Sequence, residues 1–142
     1  VIVFSPEPIL YKNEPLTLKK SETYIRKIID ACKYFIVEEW EVAGKLAYFL
    51  NGSHFLALYI LEGGGEISSE NANVPFQANE NILLPASLGD FFIEGKCKIL
   101  VSYLPYSLQD LVYELRQAGY SDEKIMRIGG PQFGNHLVPY LG

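Results

Sequence analysis

Phe55–Pro105 reads FLALYILEGGGEISSENANVPFQANENILLPASLGDFFIEGKCKILVSYLP. Apolar runs rich in Ile, Leu, Val, Phe and Tyr alternate with Gly, Asn and Asp punctuation at short intervals. Three breaks stand out: Glu62-Gly63-Gly64-Gly65, Asn79-Glu80-Asn81 and Glu94-Gly95-Lys96. Each reads as a turn, because Gly and Asn accept the positive φ angles that tight reversals need. Short strands at such spacing predict a sandwich or barrel of antiparallel strands.

The pattern extends upstream. Tyr34–Val42 (YFIVEEWEV) is aromatic and β-branched and predicts a strand. Ala43-Gly44 reads as a turn, Lys45–Leu50 as a second strand, and Asn51-Gly52 as a two-residue hairpin signal. His54–Leu61 then forms a near-continuous apolar strand. The count reaches about eight to ten strands, a size at which side chains fill a barrel or leave one pocket. Further upstream, Ile25, Ile28, Ile29 and Cys32 fall at helical spacing behind Ser21, an N-cap residue, so Ser21–Lys33 predicts a short helix. Residues 1–20 hold Pro6, Pro8 and Pro15 and read as an extended lead-in, with Val1–Phe4 as an edge strand. The first residue is not Met, which points to a chain that begins inside a longer protein or, as the second choice, to a processed end.

Downstream the period changes. After Ser107, a second N-cap, Leu108, Leu111, Val112 and Leu115 share one helical face, and Gly119 stops the helix. Ser121 opens another short helix with Ile125, Met126 and Ile128. The division is therefore a lead-in over 1–20, a β-barrel over 21–104 and a helical extension over 105–142. The extension could dock on the barrel or on a partner.

The totals exclude several classes of function. The 142 residues carry a net charge of −5, with 49% hydrophobic and 20% charged positions, so the chain folds as a globular domain and has no broad attraction for nucleic acid or anionic lipid. No apolar run approaches a membrane span. Cys32 and Cys97 both sit among apolar neighbours and are read as buried and reduced, which predicts a cytoplasmic protein.

The segments Cys32-Lys33-Tyr34-Phe35, Val37-Glu38-Glu39-Trp40, Tyr59-Ile60-Leu61-Glu62-Gly63, Ile82-Leu83-Leu84-Pro85-Ala86, Gly89-Asp90-Phe91, Ile93-Glu94-Gly95 and Leu100-Val101-Ser102 follow one another in order. In this order the chain from about Cys32 to Pro105 resembles the C-terminal, second cupin of type I mannose-6-phosphate isomerases, the short bacterial form especially. The resemblance implies an all-β cupin (jelly-roll) barrel, here with one short N-terminal helix and a two-helix C-terminal extension. It also implies that zinc, held in that family by a Gln-x-His pair, a Glu and a further His, belongs to an upstream catalytic cupin. The family's catalytic arginine lies in an Arg-Gly-Gly-Leu-Thr segment, and no Arg-Gly-Gly run occurs here.

The residues themselves point the same way. A cupin metal site needs imidazole and carboxylate donors converging inside the barrel. The strand expected to carry them reads Phe55-Leu56-Ala57-Leu58-Tyr59, and Asp90 stands five positions after Pro85. No catalytic residue, metal ligand or cofactor is therefore assigned. His54 and His136 read as half-solvated, Glu38, Glu39 and Glu41 as a solvated strand face, and Gly63–Gly65 as a turn rather than a phosphate loop. Aromatic side chains also line barrel mouths, so the candidate ligand pocket comprises Trp40, Tyr48, His54, Tyr59, Asp90 and Phe92. The expected function is a metal-free accessory cupin that gives structural support or binds a sugar or other small ligand. The alternatives are a stand-alone regulatory or protein-interaction cupin, and part of an intact zinc-dependent isomerase whose catalytic half lies upstream. The expected partners are that catalytic cupin or a second copy of this chain, meeting through the barrel or the C-terminal helices.

Overall fold

The computed structural model describes residues 14–105, 107–129 and 135–141; the edge strand read at Val1–Phe4 lies outside them. Seven strands precede two helices: β1 (Leu16–Lys20), β2 (Tyr24–Ala31), β3 (Ile36–Leu50), β4 (Leu56–Ser69), β5 (Asn73–Gln77), β6 (Asn81–Leu84), β7 (Gly89–Tyr103), α1 (Leu108–Gln117) and α2 (Asp122–Ile128). All pairings are antiparallel. The order is β1-β2-β3-β7-β4-β5, and β6 pairs the first part of β4 on the side away from β7.

The strands are fewer and longer than the glycine punctuation predicts. Ala43-Gly44, Gly63–Gly65 and Glu94-Gly95-Lys96 are not turns but lie inside β3, β4 and β7. They lie in register, Gly44 opposite Gly95 and Gly95 opposite Gly65. This glycine line crosses the three longest strands. Gly63 has φ +78, and a Cβ there would run into the backbone of Lys96 and Cys97. The glycines thus permit close approach and bending within continuous strands. Side chains on both sides of the line, Trp40 and Leu46 from β3 and Ile93 and Ile99 from β7, meet in one core with Leu58, Leu84 and Phe91. The sheet therefore folds over on itself as a jelly roll.

Asn51-Gly52 turns the chain, with Gly52 at φ +96, but it does not close a hairpin. The strands it joins, β3 and β4, are separated by β7.

The helix expected at Ser21–Lys33 is strand β2. Of the stripe read as helical, Ile25, Ile28, Ile29 and Cys32, only Ile28 is buried. A bulge between Ile28 and Asp30 shifts the strand's inward face from even to odd positions, so the buried residues are Ile28 and Ala31. A second bulge, between Ile60 and Glu62, does the same in β4, where Leu56, Leu58 and Ile60 point inward before it and Ile67 after it. The sheet begins at Leu16, within the segment read as a lead-in.

The C-terminal helices form as read. Ser107 and Ser121 cap them by accepting from the Asp110 and Lys124 amides, and Gly119 follows α1 at φ +97. They pack on the chain's own sheet. Leu108, Leu111, Val112, Leu115, Ile125 and Ile128 bury against Leu16, Ile28, Ala31 and Ile36 in a second core. Each such buried side chain contributes about 1.5–3 kcal/mol. The Tyr120 hydroxyl ties the helices to β1 by accepting from the Thr17 amide at 2.8 Å.

Candidate functional site

Between the two cores lies a polar seam. On β3 the inward residues run Ile36, Glu38, Trp40, because successive even positions share a face. Ile36 belongs to the helix-covered core and Trp40 to the barrel core. Glu38, between them, is fully buried at 0% exposure. This corrects the reading of Glu38 as part of a solvated face; Glu39 and Glu41 do face outward, and Glu41 sits 3.8 Å from both Lys27 and Lys98.

A buried carboxylate needs a full set of donors. Glu38 receives Arg26 Nε at 2.9 Å, Arg26 Nη2 at 3.1 Å, Trp40 Nε1 at 2.9 Å and the Tyr103 hydroxyl. The sheet register supplies them. Arg26 sits opposite Trp40 and Ile28 opposite Glu38, so Arg26 and Glu38 are diagonal neighbours; Tyr103, opposite Ile36, lies on the other diagonal. The guanidinium also lies over the Trp40 and Tyr48 rings, 5.5 and 5.2 Å from their centroids. Burial by itself works against the Arg26 charge, but Glu38, with the phenols of Tyr48 and Tyr103, outweighs it and holds the pKa above the ordinary arginine value. Burial raises the Tyr48 and Tyr103 phenols, and Glu38 pushes the same way on both.

Beside this cluster opens a cavity of about 210 Å³ between α1 and the barrel mouth. Arg26, Tyr48, His54, Tyr103, Asp110 and Glu114 line it. His54 stacks on Tyr103 with ring centroids 4.8 Å apart, and its Nδ1 is 2.9 Å from the Ser53 hydroxyl. Its Nε2 is buried with no hydrogen-bond partner. Burial lowers the His54 pKa, against an opposing pull from Glu38. Burial likewise raises that of Glu114, with Arg26 opposing.

The six candidate pocket residues do not converge. Trp40, Tyr48 and His54 gather at the seam, with the Trp40 and Tyr48 rings 5.2 Å apart. Tyr59 points away and donates to Asn79 Oδ1 at 3.1 Å. Asp90 and Phe92 border a different hollow with Phe49, Ser68 and Leu88, where Lys45 Nζ lies 4.0 Å from the Phe92 ring centroid. Sequence reasoning missed Arg26, Glu38, Tyr103 and Glu114. For Glu38 a signal existed, since it shares strand parity with Trp40 and Val42. For Arg26 it was hidden in the helical reading of β2. For Tyr103 and Glu114 it exists only in the fold.

A larger hollow of about 620 Å³ lies where β3, β4 and β7 bend, with Cys97 and Gly63 among its walls. Its walls are mostly apolar, and burial pushes the Cys97 thiol up to about 11, which leaves it a poor nucleophile near neutrality. Cys97 is buried as read, whereas Cys32 is only half-buried; both are free thiols. His136 lies outside the seam, accepting from the Lys33 amide at 3.1 Å. Among the described residues no three His, Cys, Asp or Glu side chains converge to hold a metal ion, and no helix is long and apolar enough to cross a membrane.

The profile of the family described as "Mannose-6-phosphate isomerase, cupin domain" matches residues 24–104, more than half of the chain. The mannose-6-phosphate isomerase ManA of Bacillus subtilis (strain 168) is 36% identical over 73 residues, which is 51% of this chain and 23% of that protein. The putative isomerase YvyI of the same organism is 32% identical over 72 residues, 51% of this chain and 22% of its own length. The match thus spans less than a quarter of either relative. A crystal structure of the mannose 6-phosphate isomerase from Bacillus subtilis superposes with TM-score 0.60 at 27% identity, covering 70% of this chain and 31% of that one. A Streptomyces PAC13 structure with uridine superposes at 0.53 and 15% identity, covering 73% and 88% of the two chains, a likeness of fold alone.

Proposed function

The chain belongs to the mannose-6-phosphate isomerase cupin-domain family, and on that footing we propose that it is a metal-free accessory cupin, a packing module for a zinc-dependent catalytic cupin rather than a catalyst. The observation that carries this reading is the filled barrel. Leu56, Leu58, Ile60, Phe91, Ile93, Ile99 and Val101 occupy its interior, each buried to 2% exposure or less. Catalysis in a barrel needs a concave site with a few convergent polar groups. Here the interior is occupied by apolar side chains, and the polar groups are displaced to its mouth, where Arg26 and Glu38 satisfy each other.

On this reading zinc belongs to the partner cupin, and the unbridged Cys32 and Cys97 suit a reducing cytoplasm. Elemental analysis of the purified chain, paired with an assay of aldose–ketose interconversion of mannose 6-phosphate, tests the proposal. The expected result is sub-stoichiometric zinc and no turnover; one bound zinc per chain, or turnover by this chain alone, overturns it.

A further inference from the structure

We propose that the mouth cavity between α1 and the barrel is a binding site for an uncharged polyhydroxylated molecule of monosaccharide size or smaller, and that it rejects phosphorylated sugars. The inference goes beyond the packing role and does not depend on it.

Size sets the first limit. The cavity holds about 210 Å³, below the roughly 300–1,000 Å³ of pockets for drug-sized ligands. Hydrogen-bonding capacity sets the second. Glu38 is saturated by Arg26, Trp40 and Tyr103. Besides the Arg26 N–H groups that Glu38 does not engage, the polar groups of the lining are the Tyr48 and Ser107 hydroxyls, the carboxylates of Asp110 and Glu114, and His54 Nε2, buried and without a partner. A buried polar atom in that state is destabilising unless a ligand or a water meets it. The set mixes acceptors with groups that both donate and accept, which matches a row of hydroxyls, each of which does both. Leu18, Ile36 and Leu111 supply apolar wall for the C–H faces between them.

Charge sets the third limit. Arg26 is the cation in the lining, and Glu38 neutralises it through two hydrogen bonds. Asp110 and Glu114 then leave the cavity net acidic. A phosphate there meets both carboxylates, and Lys19, which also acts on Glu114, offsets them only in part.

The test uses the full chain with D-mannose, glycerol and mannose 6-phosphate as probes. Binding is followed by imidazole and tyrosine NMR shifts and by calorimetry. Mannose or glycerol is expected to perturb His54 and Tyr48, and mannose 6-phosphate to bind about tenfold more weakly or not at all. Tyr48→Phe removes a hydroxyl, and Glu114→Gln replaces an acceptor oxygen with an amide donor and removes the charge, neither emptying space, and each should weaken mannose about fivefold. The melting temperature of each unliganded variant reports whether the fold survives. Equal or tighter binding of mannose 6-phosphate overturns the proposal. So does binding that neither variant weakens, or no binding of mannose or glycerol.

Discussion

The two apolar cores of this protein are assembled from chain of opposite character. The barrel core draws on β3–β7, where inward residues recur at every second position: Leu56, Leu58, Ile60; Phe91, Ile93; Cys97, Ile99, Val101. The second core joins Leu16, Ile28, Ala31 and Ile36 at one end of the chain to Leu108, Leu115, Ile125 and Leu137 at the other. The barrel core follows strand alternation and tolerates only bulges as exceptions. The second core depends on contacts across about a hundred residues of sequence, such as Thr17 with Tyr120. Tyr103 packs against both, and Glu38 and Arg26 lie between them. The difference teaches that the helices are not an appendage. They cover the inward apolar face of β1 and β2 beyond the barrel core and thereby desolvate the seam from the side the barrel leaves open.

That comparison can be broken most severely by removing residues 106–142. With the helices gone, Leu16, Ile28, Ala31 and Ile36 face water as one patch, and Glu38 and Arg26 lose their cover. The expected outcome is loss of soluble, cooperatively unfolding protein, read by gel filtration and by thermal melts followed in the far ultraviolet. A truncated barrel that melts at the temperature of the intact chain sinks the idea that the cores depend on each other.

Substitution of Glu38 by Ala ranks next. It strands the Arg26 guanidinium in a buried site, an effect of about 3–5 kcal/mol. Urea unfolding followed by both Trp40 fluorescence and helical circular dichroism should show one transition moved to lower urea for both probes, because the seam touches both cores. Two separated transitions instead mean that the cores unfold as independent units.

The smallest expected effect is a pH dependence. Burial lowers the folded-state pKa of His54, so the unfolded chain binds its proton more readily. The stability contributed by neutral His54 is complete above its unfolded value near 6.5 and is lost as pH falls from there through the depressed folded value. His54 is only half-buried, so the step is small. Melts across that range should fall more steeply with acid for the native chain than for His54→Gln. Identical slopes remove His54 from the seam's energetics.

Much of this fold was legible without coordinates. The β character of Phe55–Pro105, the capping serines at 107 and 121 and the stop at Gly119 each follow from local backbone chemistry; the caps and the stop form as read, while the strands are longer than read. The misreadings share a cause. Glycine marks either a reversal or a close approach, and only the strand opposite decides which: Gly44 and Gly65 sit against Gly95 within paired strands. The stripe Ile25, Ile28, Ile29 and Cys32 looked helical, but β2 is a bulged strand in which only Ile28 of the four is buried. Glu38 looked solvated because charge outweighs parity in a sequence reading, although Trp40 two residues on already marked that face as inward.

By itself, then, the sequence determined the class of fold, the positions that fill the barrel and the start and stop of the two helices, because these rest on interactions spanning a few residues. The tertiary structure alone decided where the glycines bend the sheet, which surface the helices cover, and that Arg26, Glu38, Tyr48, His54, Tyr103 and Glu114 meet. Those six come from β2, β3, the loop after it, β7 and α1. Their meeting depends on strand register and helix docking, which are set by the burial of whole apolar faces and not by any segment alone.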